Sequence, residues 1–165
     1  MNANVTGLQI STPNDTTIIL TRKFDAPRRL VWEATFTPDK MRRWMLPPPG
    51  WTIVSCECDV RVGGKLSVAW KSDEANPAMT LRGEFTEVVP HEYAVHTETM
   101  ALGSGQTIGS QVERHAFADH GAATVMSITQ TYKSKEDRDG ALASGMDEGM
   151  EACYQKLEAL LGERT

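Results

Sequence analysis

The feature that most constrains the fold is a run of six β-strand patterns between residues 51 and 132. The segments are rich in β-branched and aromatic residues, and pairs typical of tight turns separate several of them, as at Gly63-Gly64, Pro90-His91 and His120-Gly121. Parallel neighbours need a crossover of a dozen or more residues, which these short links cannot provide. The sequence therefore predicts an antiparallel sheet built from the segments 51–60, 65–71, 79–89, 92–100, 107–118 and 122–132.

A further strand pattern at 16–24 and two short helix patterns precede this run. Pro27 stands where a helix can begin, because a proline at the first helical position lacks only an N–H that would be unpaired anyway. We expect helices over 28–36 and 37–44, and we expect the run Pro47-Pro48-Pro49-Gly50 to end the second one.

The last part of the sequence has the periodicity of one long amphipathic helix. Ser144 is the predicted cap of this helix, and 135–143 is expected to form a separate helical turn. Because this is the longest helix, we expect it to lie across the apolar face of the sheet. The sequence thus predicts an α+β helix-grip fold with a small-molecule cavity between the sheet and the helix, whose apolar stripe is Met146, Met150, Cys153, Leu157, Leu160 and Leu161.

Length and composition predict one soluble domain over 16–161 after a polar lead-in over 1–15. The net charge of −5 argues against nucleic-acid binding, which depends largely on lysine and arginine. No apolar run is long enough to span a bilayer, and no secretory signal pattern is present. An odd number of cysteines, three, suggests free thiols in a reducing compartment, so we expect a cytoplasmic protein.

Several motifs occur in a specific order along the chain: Phe24-Asp25-Ala26-Pro27, Val31-Trp32-Glu33-Ala34, Thr37-Pro38, Trp44, the segments 59–64 and 83–90, Ser144-Gly145-Met146, Gly149 and Leu157. In this order they resemble the START-like (SRPBCC) superfamily, and within it the bacterial branch similar to the C-terminal domain of the activator of heat-shock-protein-90 ATPase. The resemblance implies the helix-grip architecture and, in many relatives, a cavity for hydrophobic or amphipathic molecules. We expect no cofactor. The segment Met45-Leu46-Pro47 departs from the pattern of relatives at the predicted pocket entrance.

Glu113 and His115 are the sharpest catalytic candidates. They share a strand face with Phe117, which we expect to point inward, because side chains alternate along a strand. On the next strand the inward set is Met126, Ile128, Gln130 and Tyr132. A carboxylate beside an imidazole can serve as acid and base in a cyclase, dehydratase or hydrolase, although a polar pair that satisfies itself is the favoured interpretation.

Binding of a small hydrophobic or amphipathic molecule is the predicted function. Large apolar side chains suit the wall of such a site, and a few polar groups would fix the orientation of the ligand. Glu113, His115 and Tyr132 are the predicted polar handles. The predicted wall consists of Trp44, Trp51, Trp70, Phe85, Met126, Met146, Met150 and Tyr154.

Three alternatives stay open at this stage. Cys56 and Cys58 share a strand face and could bind zinc with His96 or His115, but their spacing fits buried apolar packing better, so we predict no metal. A co-chaperone-like domain would act through an exposed apolar patch on its outer surface. Whether the protein is an enzyme or forms a homodimer is left open, with a non-enzymatic binding protein favoured.

Overall fold

The computed structural model describes residues 7–45, 50–72 and 78–163, which form eight strands and four helices. The strands are β1 (Gln9–Asn14), β2 (Thr17–Phe24), β3 (Trp51–Cys58), β4 (Lys65–Ser72), β5 (Met79–Val89), β6 (Tyr93–Leu102), β7 (Thr107–His120) and β8 (Ala123–Thr131). The helices are α1 (Arg28–Phe36), α2 (Pro38–Trp44), α3 (Lys135–Ala143) and α4 (Met146–Gly162).

All of these strands lie in one curved antiparallel sheet in the order β1-β2-β8-β7-β6-β5-β4-β3. From β3 to β8 each strand pairs with the next one in the sequence, and β8 then pairs with β2. The turns predicted at the glycine pair, at Pro90-His91 and at His120-Gly121 contain left-handed residues, with φ of 84° at Gly63, 66° at His91 and 61° at Gly121. The predicted α+β helix-grip fold is confirmed.

The N-terminal segment contains a strand that the sequence analysis missed. Gln9–Asn14 pairs with β2 at the edge of the sheet, within the segment described above as a polar lead-in. Every residue of β1 is exposed, so the strand has no buried alternate positions from which periodicity could have revealed it. Pro13 fits this location because proline is tolerated at a sheet edge.

The start of the C-terminal helix also differs from the prediction. Ser144 ends α3, where its hydroxyl donates to the carbonyl of Ala141 at 2.6 Å, so its predicted role as the cap of α4 is wrong. The residue before α4 is Gly145, which has a left-handed φ of 79°. The predicted stop at Pro47–Pro49 and the departure at Leu46-Pro47 lie outside the described residues.

The core lies between the sheet and the helices. Along β2, alternate residues from Ile18 to Phe24 are buried, and the ring of Phe24 contacts the ring of Tyr154 on α4 edge to face at 5.8 Å. Leu157 and Leu161 of the predicted stripe are buried, and Met146, Met150, Cys153 and Leu160 pack against the core while partly exposed. None of the helices in the described residues is both long and apolar enough to span a membrane.

An ion pair also links α4 to the sheet. Arg22 of β2 lies on the same face of the strand as the buried apolar residues. Its guanidinium donates to both carboxylate oxygens of Glu151, at 3.1 and 3.2 Å. A second carboxylate, Glu158, lies 3.6 Å away, and the backbone N–H of Leu8 donates to Glu151 at 3.0 Å. We call Arg22, Glu151 and Glu158 the Arg22 clamp.

Candidate functional site

Polar side chains interrupt the apolar inner face of the sheet where β6, β7 and β8 run side by side. His96 is the register partner of Glu113, and Glu113 is the register partner of Gln130, so the three lie in one row across the strands. Phe85 and Ile18 continue this row on either side as apolar residues. We call the group the polar cluster; its members are His96, Glu98, Gln111, Glu113, His115 and Gln130.

Glu113 is the centre of the polar cluster. Its Oε1 atom accepts hydrogen bonds from the side-chain amides of Gln130 at 2.8 Å and Gln111 at 3.2 Å. Its Oε2 atom lies 3.0 Å from Nε2 of His115 and 3.9 Å from Nε2 of His96. Tyr132 extends the network by donating its hydroxyl to Oε1 of Gln130 at 3.0 Å. The predicted handles Glu113, His115 and Tyr132 therefore belong to one connected network.

The two histidines stack face to face, with ring centroids 5.2 Å apart and an angle of 27° between the rings. Nδ1 of His96 lies 3.0 Å from the carbonyl oxygen of Thr97, and since that oxygen can only accept, this nitrogen carries a proton. Nδ1 of His115 is buried and has no hydrogen-bond partner among the described residues. The backbone thus fixes the proton of His96 on Nδ1, whereas Nδ1 of His115 has no described partner.

The two carboxyl groups of the polar cluster are shifted in opposite directions. Burial raises the pKa of Glu98 well above its ordinary value, and the neighbouring charge of Glu113 raises it further. Burial by itself would also raise the pKa of Glu113, but hydrogen bonds and charge from His115, charge from His96 and the amide of Gln130 outweigh it and lower the pKa to about 2. The cluster therefore holds an ionised carboxylate beside a carboxyl group that keeps its proton.

His96, Glu113 and His115 are also the residues that could hold a metal ion. One ligand atom from each lies within 4.8 Å of the others, and all three side chains are buried. Burial lowers the pKa of His96, and the neighbouring ring of His115 lowers it further, against the opposing charge of Glu113. The set therefore offers two imidazoles and one carboxylate.

Aromatic rings surround the polar cluster. Phe36 of α1 lies edge to face against His115, with centroids 5.6 Å apart, and Phe85 of β5 lies in the same way against His96 at 5.3 Å. Phe117, the residue used to set the strand parity, is buried, as are Glu113 and His115 on the same face of β7. The predicted inward face of β7 is therefore confirmed.

The predicted wall residues lie in or against one hydrophobic core. The indole N–H of Trp44 donates to the carbonyl of Ala34 at 2.8 Å, and that of Trp70 donates to the carbonyl of Met45 at 3.3 Å. The ring of Trp44 also packs on Tyr154, with centroids 5.7 Å apart. Phe85, Met126, Trp44, Trp70, Tyr132 and Tyr154 are buried, whereas Trp51, Met146 and Met150 are partly exposed. Their role as a ligand wall stays a prediction.

An open groove lies elsewhere, between the N-terminal residues and α4. Its volume is about 370 Å³, and none of the predicted wall residues contributes to it. Its lining residues are Leu8, Ile10, Asp147, Glu148, Glu151, Ala152 and Gln155. This groove therefore differs from the predicted site between the sheet and α4.

The cysteines do not join the histidines. Cys56 and Cys58 lie on β3 at the edge of the sheet, with β4 and β5 between them and the strand that carries His96. The zinc site considered for these cysteines with His96 or His115 is therefore wrong. Burial raises the pKa of both thiols, that of Cys58 to about 12, which keeps them neutral.

The sequence analysis missed three members of the polar cluster. His96 appeared only as a partner for the cysteines, and Glu98 and Gln111 did not appear as site residues. The alternation along β6 could have indicated His96 and Glu98, because both lie on the same strand face as the apolar and buried Ala94. Gln111 has the same parity as Glu113, but it lies nearer the strand end, where the alternation of β7 is weak.

Comparison with known proteins shows the family of this chain. A family model described as "Activator of Hsp90 ATPase homolog 1-like protein" matches residues 25–162. The chain belongs to this family. Membership confirms the resemblance to the START-like (SRPBCC) superfamily. A comparison with curated proteins found no match.

Solved structures of bacterial proteins share the fold of this family member. A Rhodobacter sphaeroides protein is 22% identical, with a TM-score of 0.85 over 96% of this chain and 99% of the other. A Mycobacterium smegmatis protein is also 22% identical, with a TM-score of 0.80 over 95% and 98% of the two chains. A Staphylococcus epidermidis protein is 20% identical, with a TM-score of 0.78 over 95% of each chain. At such identities these likenesses show the fold alone.

Proposed function

We propose that this family member binds a small amphipathic molecule between the sheet and α4, with the polar end of the molecule at the polar cluster. The observation that carries the proposal is the buried Nδ1 atom of His115, which no described residue bonds. Binding sites for small molecules are mostly apolar and contain a few polar groups that fix the orientation of the ligand. The aromatic rings around the cluster and the unbonded Nδ1 atom of His115 match that description.

The hydrogen bonds indicate which chemical group the ligand presents. Oε1 of Glu113 accepts from two amides, so Oε2 is the acceptor for the N–H at Nε2 of His115. A neutral imidazole with its proton on Nε2 has a lone pair on Nδ1. The ligand class is therefore an apolar ring system with a hydroxyl or N–H donor.

Two energy terms favour such a molecule. An unpaired buried acceptor costs about 1–3 kcal/mol, which a ligand donor recovers. The apolar part of the ligand gains roughly 25 cal/mol for each Å² removed from water. The apolar term supplies affinity, and the hydrogen bond supplies the preference for a donor.

The test compares 2-naphthol, 2-methoxynaphthalene and naphthalene as probes of the chelator-treated full chain, with calorimetry or tryptophan fluorescence as the readout. We expect 2-naphthol to bind about tenfold more tightly than 2-methoxynaphthalene, since a recovered hydrogen bond contributes about 1 kcal/mol or more. His115→Phe should abolish this preference. His120→Phe, an exposed position on the same strand, is the matched control and should preserve it.

Two results would contradict the proposal. One is the absence of binding of all three probes to the wild-type chain. The other is a preference for 2-naphthol that persists in His115→Phe, provided that circular dichroism shows the variant to be folded. Failure of all probes would favour the co-chaperone alternative that the family name suggests, for which the assay is stimulation of a heat-shock-protein-90 ATPase.

Acid–base catalysis is a second candidate, favoured by the distance of 3.0 Å between Glu113 and His115. A carboxylate that holds one nitrogen of an imidazole leaves the other nitrogen free to act as a base. Such a pair suits a cyclase, a dehydratase or a hydrolase. Turnover of a bound compound that is lost in Glu113→Gln would support this function, and unchanged turnover in that variant would exclude it.

A further inference from the structure

The geometry points to a binding site for one divalent transition metal ion at His96, Glu113 and His115. These three side chains come from two adjacent strands, and their ligand atoms lie within 4.8 Å of one another. The inference goes beyond the proposed function, and a metal ion alone is sufficient to test it.

The first argument concerns His96 and the atom that faces it. Because Nδ1 of His96 donates to the carbonyl of Thr97, the neutral ring has its lone pair on Nε2. That lone pair lies 3.9 Å from Oε2 of Glu113, beyond hydrogen-bond distance. Two electron-rich atoms that face each other in a buried place attract a cation between them.

The second argument concerns the groups that hold the ligands in place. Metal-binding histidines commonly donate their other N–H to a carbonyl, and metal-binding carboxylates are themselves hydrogen-bonded. His96 donates to Thr97, and Oε1 of Glu113 accepts from Gln111 and Gln130 while Oε2 faces the imidazoles. Two of the three ligands thus have the outer contacts expected of a metal site.

The third argument concerns distances. Zinc bonds nitrogen and oxygen at about 2.0–2.2 Å, so neighbouring ligand atoms in a tetrahedral site lie roughly 3.3–3.5 Å apart. The present separations of 3.0 Å and 3.9 Å from Glu113 to the two imidazoles lie on either side of this value. Side-chain adjustments of less than about an ångström would bring these two separations to that value. The ligand atoms of the two stacked imidazoles, which lie within 4.8 Å of each other, must also move closer together.

Binding requires a change of tautomer at His115. In the metal-free protein, Nε2 of His115 donates to Glu113. When Nε2 becomes a ligand, its proton moves to Nδ1 of the same ring, and the ionised Glu113 binds the ion through Oε2. The neutral ring therefore binds by a change of tautomer, and no proton leaves the site. No oxidant or reductant is required.

The donor set limits the class of metal. Two imidazoles and one carboxylate, with further positions left for water or substrate, are typical of catalytic zinc and of non-haem iron(II). The absence of thiolate from the described cluster disfavours copper(I). Zinc is the first probe because it is not redox-active, and cobalt(II) is its spectroscopic substitute.

The experiment titrates the tag-free, chelator-stripped full chain with ZnCl₂ in a calorimeter and with CoCl₂ in a visible spectrometer. We expect one ion per chain and a d–d spectrum of four- or five-coordinate cobalt without a thiolate charge-transfer band. His96→Phe should weaken zinc binding at least about 100-fold, and Gln130→Leu, which removes an outer contact, about 10- to 100-fold. His120→Ala and the double variant Cys56→Ser with Cys58→Ser should bind as the wild type does.

Three outcomes would overturn the inference: no stoichiometric binding by the wild-type chain, equal affinity in folded His96→Phe, or binding lost only in the cysteine double variant. If His96→Phe does not fold, the cobalt spectrum of the wild type and the affinity of Gln130→Leu decide the question. Because the naphthol test uses chelated protein and this one uses no organic ligand, either proposal can fail without the other.

Discussion

The polar cluster and the Arg22 clamp both contain glutamate side chains on the inner side of the sheet, but different groups balance their negative charge. Most of the polar cluster is buried, whereas in the Arg22 clamp the guanidinium is buried and the carboxylates are partly exposed. In the Arg22 clamp, the Glu151 carboxylate meets a guanidinium, which is charged at every relevant pH. In the polar cluster, the Glu113 carboxylate meets two imidazoles and two amides, with no lysine or arginine bonded to it among the described residues.

The difference lies in where the positive charge comes from. A guanidinium gives the Arg22 clamp a permanent positive charge, so its role is to hold α4 against β2. Histidine can be neutral, protonated or metal-bound, so the polar cluster can exchange the partner that balances Glu113. Function is therefore expected at the polar cluster and stability at the Arg22 clamp.

The strongest test of this comparison removes the permanent cation. Arg22→Met should lower the free energy of unfolding by about 2–3 kcal/mol, because it leaves the partly exposed Glu151 without its bidentate partner. Arg43→Met is the control, since Arg43 and Glu163 form a shorter pair at 2.7 Å but are both more than half exposed; its cost should stay below about 1 kcal/mol. Chemical denaturation of both variants is the measurement, and equal losses would refute the role assigned to the Arg22 clamp.

A second test disturbs the backbone behind the polar cluster. A Cβ atom at Gly83 would lie 1.9 Å from the carbonyl oxygen of Thr97, the group that orients His96. Gly83→Ala should therefore cost about 2 kcal/mol and shift the side-chain nitrogen NMR signals of His96. At Gly109 an added Cβ atom would have no atom within 4 Å. Gly109→Ala should therefore leave both the stability and the His96 signals nearly unchanged. Unaltered His96 signals in Gly83→Ala would contradict this account.

The smallest expected effect is the pH dependence of the Arg22 clamp. Burial by itself raises the pKa of Glu151, but Arg22, Gln155 and the N–H of Leu8 outweigh it and lower the pKa. A lowered pKa in the folded state stabilises the protein above the unfolded value of about 4.3, and this contribution is lost as the pH falls through the folded value. The difference in Tm between the wild type and Glu151→Gln should become smaller as the pH falls below about 4.

Glu148→Gln, at an exposed position on the same helix, is the control for this last test, and its gap in Tm should stay near zero. A gap for Glu151→Gln that widened in acid would mean that the sign of the pKa shift is wrong.

Local patterns were sufficient for most of the fold. Alternation along β7 and β8 placed Glu113, His115 and Gln130 on the inner face, and short turns made the sheet antiparallel. The same reasoning failed for β1, whose residues are all exposed, because a strand without a buried face has no period to detect. It failed at Ser144 because a residue favoured as a helix cap also suits the end of the preceding helix.

By itself, the sequence determined the order of the elements after β1, the strand parity and the family resemblance, since each depends on spacing between near neighbours along the chain. Only the tertiary structure decided that His96 faces Glu113, that the cysteines lie away from the histidines, and that Nδ1 of His115 has no described partner. These facts depend on the register between strands, where a slip of one residue turns every side chain to the other face.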